Sequence, residues 1–333
     1  MEVLSRLAAR GHEVVWYSGR ARQSMPTRLG SIQLTYGFRG LLVYVSGHFW
    51  LRKHHSKFDV VIDQVNTFGF LAPWVTSRVL VLFHQLADDV WDAEVRWPFN
   101  LIGRFAERQI LNRYRGTPFI TMSQTTVMEM AHYGWQGPGF VAATGIDRIS
   151  YYEKTPCPSV CFLGRFQAKA KRLDHAVKIF LEAKKQLPDL KFRAIGRGLP
   201  PREFLEIEGI EFYSDVDDNC RDELLGSSWC CIVTSVREGW GRMVSEAGAM
   251  GTTSLAYDVP GLRDSVVDGV TGLLVTPDIA TAASALVALL KDSELLKKMG
   301  NSAQDMALSM TWDSSVDEIE RVLLKVSVGA DHL

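Results

Sequence analysis

The 333-residue chain has no apolar run long enough to cross a bilayer. A spanning helix needs about 20 apolar residues. The longest candidate, 40–51, is shorter and carries His48. No basic start followed by an apolar stretch marks a leader peptide. The five cysteines (Cys157, Cys161, Cys220, Cys230 and Cys231) are odd in number and form no C-x-x-C pair. That argues against a disulfide framework or a zinc ribbon, and for reduced thiols in a cytoplasmic protein. There is no low-complexity segment and no short-period repeat, so a solenoid is not expected. Net charge is also scarce, at -1 overall, and nothing points to nucleic acid as a partner. The small total conceals an imbalance. Residues 1–150 hold 16 Lys/Arg against 11 Asp/Glu, and the remainder holds 21 against 27. A basic first half suits anionic lipid or phosphorylated ligands.

What is present is an ordinary globular composition, 47% apolar and 23% charged, in a chain long enough for two domains. The second half alternates short apolar runs with helical patterns. Ser159–Leu163 is a strand ending at Gly164, followed by Leu173, Ala176, Val177, Phe180 and Leu181 on one helical face. Lys191–Ile195 runs into Gly196-Arg197-Gly198, and Cys230–Val233, Ser254–Tyr257 and Gly272–Val275 are further strands. Helices are expected over Arg242–Met250, Ala280–Leu290, Ser293–Met310 and Trp312–Val326. Strands alternating with helices predict an α/β fold with parallel sheets, whose ligands bind at the carboxyl ends of the strands.

The first half follows that logic less regularly. Glu2–Arg10 reads as a helix ended by Gly11. Glu13–Tyr17, Asp59–Ile62, Val79–Phe83 and Phe119–Thr121 read as strands, and Arg104–Tyr114 as a helix. The pattern starts inside a helix, where a parallel-sheet domain begins with a strand and a glycine turn. The join between halves falls near Gly145-Ile146-Asp147. The expected domains are 1–148, 149–310, and a terminal segment 311–333 returning to the first.

The sharpest chemical constellation is Ser235 to Ala247, where a strand ends, a loop turns on Gly239 and Gly241, and a helix begins. Glu238 precedes that helix and Glu246 lies eight residues on, about two turns in. Backbone N–H groups of Trp240, Gly241, Arg242 and Met243 at the helix start suit phosphate or sugar oxygens. The alternative is a capping carboxylate and a solvent-facing one. Arg165, just after Gly164, and Lys171 six residues on form a candidate diphosphate clamp, a fork and a point charge. A plain basic loop is the alternative there. His84, ending the strand 79–83, is a candidate for the same site. Asp215-Val216-Asp217 has the form of a metal-binding D-x-D, but the pattern around it does not suit that role.

Together these segments resemble the retaining glycosyltransferases of family 4. Glu238 and Glu246 match its E-x(7)-E motif, and Arg165 and Lys171 its cations on the donor diphosphate. Residues 259–275 look like its sugar-side loop and following strand, and 10–14 like its first helix and second strand. The family's first strand and Gly-rich loop have no counterpart before Met1. The resemblance implies two Rossmann-like domains of the GT-B type with a cleft between them. The first would be the acceptor side and the second the nucleotide-sugar side. It implies a hexosyl-type transferase acting with retention and with no metal or other cofactor. Glu246 would hold the donor ribose, Glu238 would stand at the transferred sugar, and Trp240–Arg242 would face the sugar and diphosphate. His84 matches a position where the family often has a histidine facing the cleft. The acceptor is left open among a glycan, a lipid-linked molecule and a small molecule. Two alternatives share the pattern. One is a nucleotide-sugar epimerase of the same architecture; the other is a truncated, inactive relative acting as a binding or regulatory subunit.

Residues 91–115 interleave Trp91, Trp97, Phe99, Phe105 and Tyr114 with five arginines. Phe49 and Trp50 precede Arg52, Lys53 and Lys57. Rings beside cations suit the headgroup region of an anionic membrane on its cytoplasmic face. The competing expectation is that the rings pack in the core.

Overall fold

The computed structural model describes residues 2–20 and 26–329. They form two compact units. The first comprises residues up to 87, 101–145 and from 311 onward; the second comprises 88–100 and 146–310.

In the first unit, helix α1 (Glu2–Ala9) stops at Gly11, whose φ of +99° is a conformation glycine adopts without steric cost. Strands β1 (Val15–Gly19), β2 (Arg28–Leu29) and β3 (Ile32–Gly37) make a small sheet in the order β1-β3-β2. Helix α2 (Leu42–His54) follows. A second, wholly parallel sheet runs β4 (Val61–Val65), β5 (Val79–Phe83), β6 (Phe119–Thr121), β7 (Gly139–Val141). Among the described residues no strand joins β1 to β4. Helix α3 (Asp88–Glu94) belongs to the second unit, α4 (Phe99–Leu111) begins there and runs on into the first, and α5 (Gln124–His132) lies within the first.

The second unit has one six-stranded parallel sheet. Its strands are β8 (Ser159–Arg165), β9 (Lys191–Arg197), β10 (Ile210–Ser214), β11 (Cys230–Val233), β12 (Thr253–Tyr257) and β13 (Gly272–Val275). Their order, β10-β9-β8-β11-β12-β13, is that of a doubly wound dinucleotide-binding sheet, with the direction of winding reversing between β8 and β11. Helices α6 (Leu173–Lys184), α7 (Asp218–Ser227), α8 (Arg242–Ala249), α9 (Leu262–Ser265), α10 (Ile279–Lys291) and α11 (Ser293–Ser309) connect the strands and follow the last. β11 and β12 are buried at every position, as covering on both faces requires, and β12 carries two buried hydroxyls, Thr253 and Ser254. The helix starts are chemically marked: Asp217, Asp278 and Asp292 each accept the backbone N–H three residues on, at 2.7–2.9 Å. Asp217 is therefore a helix cap.

The last helix, α12 (Trp312–Val328), belongs to the first unit. Its buried Val316, Ile319, Val322 and Val326 share a core with Leu7, Leu80 and Ile120. Arg10 and His12 both bond Glu320, at 2.6 and 2.7 Å. Several sequence expectations shift in register. The first strand runs 15–19 rather than 13–17, and the next 61–65 rather than 59–62. The aromatic residues divide too. Tyr114 is wholly buried, with its hydroxyl donating to Asp63, and Trp50 packs on Tyr17, His54 and Phe58.

Candidate functional site

The second unit concentrates its chemistry at the carboxyl ends of β8, β9 and β11, where the sheet reverses. Arg165 ends β8 and Arg197 ends β9, directly paired in register, and Gly164 and Gly196 are paired one step earlier. A Cβ on Gly196 would run into the carbonyl oxygen of Gly164, so a side chain there would part the strands. The two guanidinium-bearing residues are both exposed. Arg197 belongs to a Gly-Arg-Gly turn in the sequence, and its register opposite Arg165 places it at the same strand ends.

Lys171 is positioned by backbone. It ends a 3-10 turn, Lys169–Lys171, and Arg172 beyond it lies in the left-handed region at φ +50°. Thr234 donates its hydroxyl to the carbonyls of Lys171 and Arg172, and Val236 N–H donates to Ala170 O. From α3, Glu94 accepts the Ala170 N–H at 2.9 Å. The Lys171 ammonium then meets Glu238 Oε1 at 2.5 Å. The pair is largely sheltered, with side chains 22% and 15% exposed. Two residues 67 apart in sequence thus become one ion pair, which sequence spacing could not show. The contact from Glu94 was likewise invisible there.

Glu238 is fixed by its own backbone, whose N–H donates to Pro260 O. A Cβ on Gly261 would strike the Glu238 carbonyl, and Gly261 has φ +81°. Gly241, at φ +85°, caps α8 without a side chain. Its absent Cβ leaves room for Leu262 and Ser265. Trp240 is buried and its indole N–H donates to Ser245 Oγ at 2.8 Å. Because Trp240 and Gly241 are loop residues, α8 begins at Arg242, and Glu246 lies one turn into it rather than two. Glu246 pairs with the more exposed Arg242 at 3.1 Å, a contact worth about 0.3–0.5 kcal/mol and easily exchanged for a ligand. The start of α8 therefore offers backbone donors with no side-chain cap, flanked by Glu238 and Glu246. Arg165, Arg197 and Lys171 lie at neighbouring strand ends. Such an arrangement can receive a phosphate-bearing polyol.

Residues 157–292 match the family model described as glycosyl transferases group 1. That stretch contains Arg165, Lys171, Arg197, Glu238, Trp240, Arg242 and Glu246. A D-inositol 3-phosphate glycosyltransferase of Nocardia farcinica is 33% identical over 170 residues, covering 46% of this chain and 38% of that protein. The enzyme of the same name from Corynebacterium aurimucosum is 24% identical over 341 residues, covering 92% of this chain and 78% of that one. The sucrose-phosphate synthase structure from Thermosynechococcus elongatus aligns with a TM-score of 0.76 at 18% identity, over 98% of this chain and 92% of that one. The fold is the GT-B type, with two Rossmann-like domains.

His84 lies in the first unit, apart in sequence and unit from the residues above. It follows β5, and its Nε2 is 2.8 Å from the Gln64 amide nitrogen on β4. Burial holds its pKa below the ordinary imidazole value. A neutral ring with its proton on Nδ1 accepts from that amide. Among the described residues, no group of three or more His, Cys, Asp or Glu is arranged to hold a metal ion.

Proposed function

We propose that this protein transfers a hexosyl unit from a nucleotide-diphosphate sugar to a hydroxyl-bearing acceptor, with retention and without a metal. The observation that carries the reading is the meeting of Arg165, the Lys171–Glu238 pair and the uncapped start of α8 at the switch point of a doubly wound sheet. A leaving nucleoside diphosphate gains negative charge as the glycosidic bond breaks. Arg165, Arg197, Lys171 and the α8 amides would stabilise that charge, as a metal does in other enzymes. Glu246 would accept the ribose hydroxyls. Glu238, held by Lys171, would stand at the transferred sugar. In a front-face displacement the acceptor oxygen bonds to the anomeric carbon on the side from which the diphosphate departs. The acceptor proton then passes to the leaving phosphate oxygen. His84, neutral through burial, would orient a sugar or acceptor hydroxyl. The five unpaired thiols suit a cytoplasmic setting. No helix among the described residues is long and apolar enough to span a membrane, and the basic first half would contact an anionic bilayer peripherally.

The test is product analysis with a panel of UDP-, GDP- and ADP-sugars, with and without acceptor alcohols, in excess chelator. Release of nucleoside diphosphate with a new glycoside of the donor's anomeric configuration supports the reading. An epimerised donor formed without acceptor would replace it with the epimerase reading. Activity that chelator abolishes and Mg²⁺ or Mn²⁺ restores would reopen a role for Asp215 and Asp217.

A further inference from the structure

Two helices of the first unit turn apolar side chains outward. On α2, Leu42, Val45 and Phe49 are 61%, 54% and 62% exposed and form one stripe at helical spacing, which Arg52 continues. On α4, Leu101, Ile102 and Phe105 are 52%, 59% and 65% exposed, and Arg108 and Asn112 extend that side. The opposite sides, Gly47 and Leu51 on α2 and Gly103, Glu107 and Leu111 on α4, are buried. Neither helix therefore depends on its outer stripe for packing.

Each stripe leads to a cavity whose lining includes arginine. One, of about 390 Å³, is lined by Phe105, Arg108, Arg115, Met130, Tyr133 and Trp135 among others. The other, of about 460 Å³, is lined by His48, Arg52, His55, Trp74 and Val75. Trp74, in the second cavity, has the His48 ring edge-on at 6.4 Å and the Arg113 guanidinium 4.9 Å from its ring centre, and Arg113 falls in sequence between Asn112 and Arg115 of the first cavity. No carboxylate lines either cavity. The charge pattern is one-sided around them. Residues 14–58 contain no Asp or Glu, and residues 95–128 contain only Glu107. Glu107 is 3% exposed and accepts the Ala87 N–H. Among the described residues, Arg52, Arg108, Arg113 and Arg115 have no ion-pair partner.

We propose that this face of the first unit docks on a bilayer, with the α2 and α4 stripes entering the headgroup boundary and the two cavities receiving anionic phospholipid headgroups. Rings and aliphatic side chains beside unpaired arginines meet both halves of such a surface at once, acyl chain and phosphate. A nucleic acid or soluble polyanion would satisfy the arginines but leave Leu42, Val45, Leu101 and Ile102 against water or phosphate. The proposal rests on the membrane contact stated above and not on the sugar chemistry.

The experiment is co-sedimentation of the full chain with phosphatidylcholine vesicles, with and without phosphatidylglycerol, over a salt series. Binding is expected only with the anionic lipid, and it should weaken as salt rises. The double variant R108Q/R115Q should bind about thirtyfold more weakly, the factor for two surface cations. I102S/F105S should lose binding as well, although both residues are already exposed and the fold does not need them. Melting temperature and donor turnover with a water-soluble acceptor should stay unchanged in both variants, so a failure of the sugar chemistry is read separately. Equal binding to neutral vesicles, or variants that bind like the parent, would overturn the proposal. So would capture by heparin without vesicle binding, which would assign the face to a soluble polyanion.

Discussion

At the scale of single residues, the Lys171–Glu238 contact ranks the cations of the site. Removing Arg165 takes one charge from an exposed strand end. Removing Lys171 takes a charge and also leaves a sheltered carboxylate without its partner. Lys171→Met should therefore cost about 2–3 kcal/mol of stability, whereas Arg165→Met should leave stability almost unchanged. Both should weaken a nucleoside diphosphate more than the nucleoside, which calorimetric titration of the two ligands measures. Equal loss for the two ligands would make these cations structural. His84 gives a second residue-level prediction. Its folded pKa lies below its ordinary value because burial disfavours the charged ring. The unfolded chain then takes up a proton first, so His84's share of stability is whole above about pH 6.5 and declines as pH falls from there to the lowered midpoint. NMR titration of the ring should give a midpoint under the ordinary value. His84→Gln should make the acid-side loss of stability shallower. A midpoint at or above the ordinary value would contradict both the buried setting and the neutral role proposed for the ring.

At the scale of elements, the loop 259–261 sets where Glu238 stands. Gly261→Ala would place a methyl group against the Glu238 carbonyl and force a side chain into φ +81°. Gly269→Ala faces a similar backbone cost at φ +72°, with nothing within 4 Å of its new methyl group. Each should cost about 1–2 kcal/mol for the conformation. Only Gly261→Ala should also depress turnover, because only it displaces Glu238; matched kinetics and melting of the two variants separate position from stability. The same elements show what a sequence can disclose. β5, β6 and β11 keep the bounds their apolar runs suggest, because a strand buried between layers must be apolar and ends where glycine or polar residues begin. β10 went unread: it is an edge strand, half-exposed, with little apolar contrast. α2 went unread because its outward stripe is as apolar as its inward one, which erases the periodicity that marks a helix. Within the candidate site, residue types and order were legible. The joining of Lys171 to Glu238, and the support of Ala170 by Glu94, are tertiary contacts with no local signature.

At the scale of the whole molecule, the chain builds its first unit from three separated stretches and its second from two. The units therefore depend differently on the final helix. α12 places Val316, Ile319, Val322 and Val326 in the core of the first unit. Burying four such side chains is worth roughly 6–12 kcal/mol at most, as much as the entire net stability of many domains. The second unit has its own six-stranded sheet and its own core, to which α12 contributes nothing. A charge set into the α12 core should accordingly unfold one unit and spare the other. Val322→Asp, at a position with no exposure, should lower the melting of the first unit sharply and abolish glycosyl transfer. The second unit should remain folded, still bind nucleoside diphosphate, and still gain melting temperature from it by mass action. Scanning calorimetry with and without the diphosphate reads both units in one experiment. If Val322→Asp removed diphosphate binding along with the first unit, the donor site would not be the self-contained property of residues 146–310 that its strand-end geometry implies.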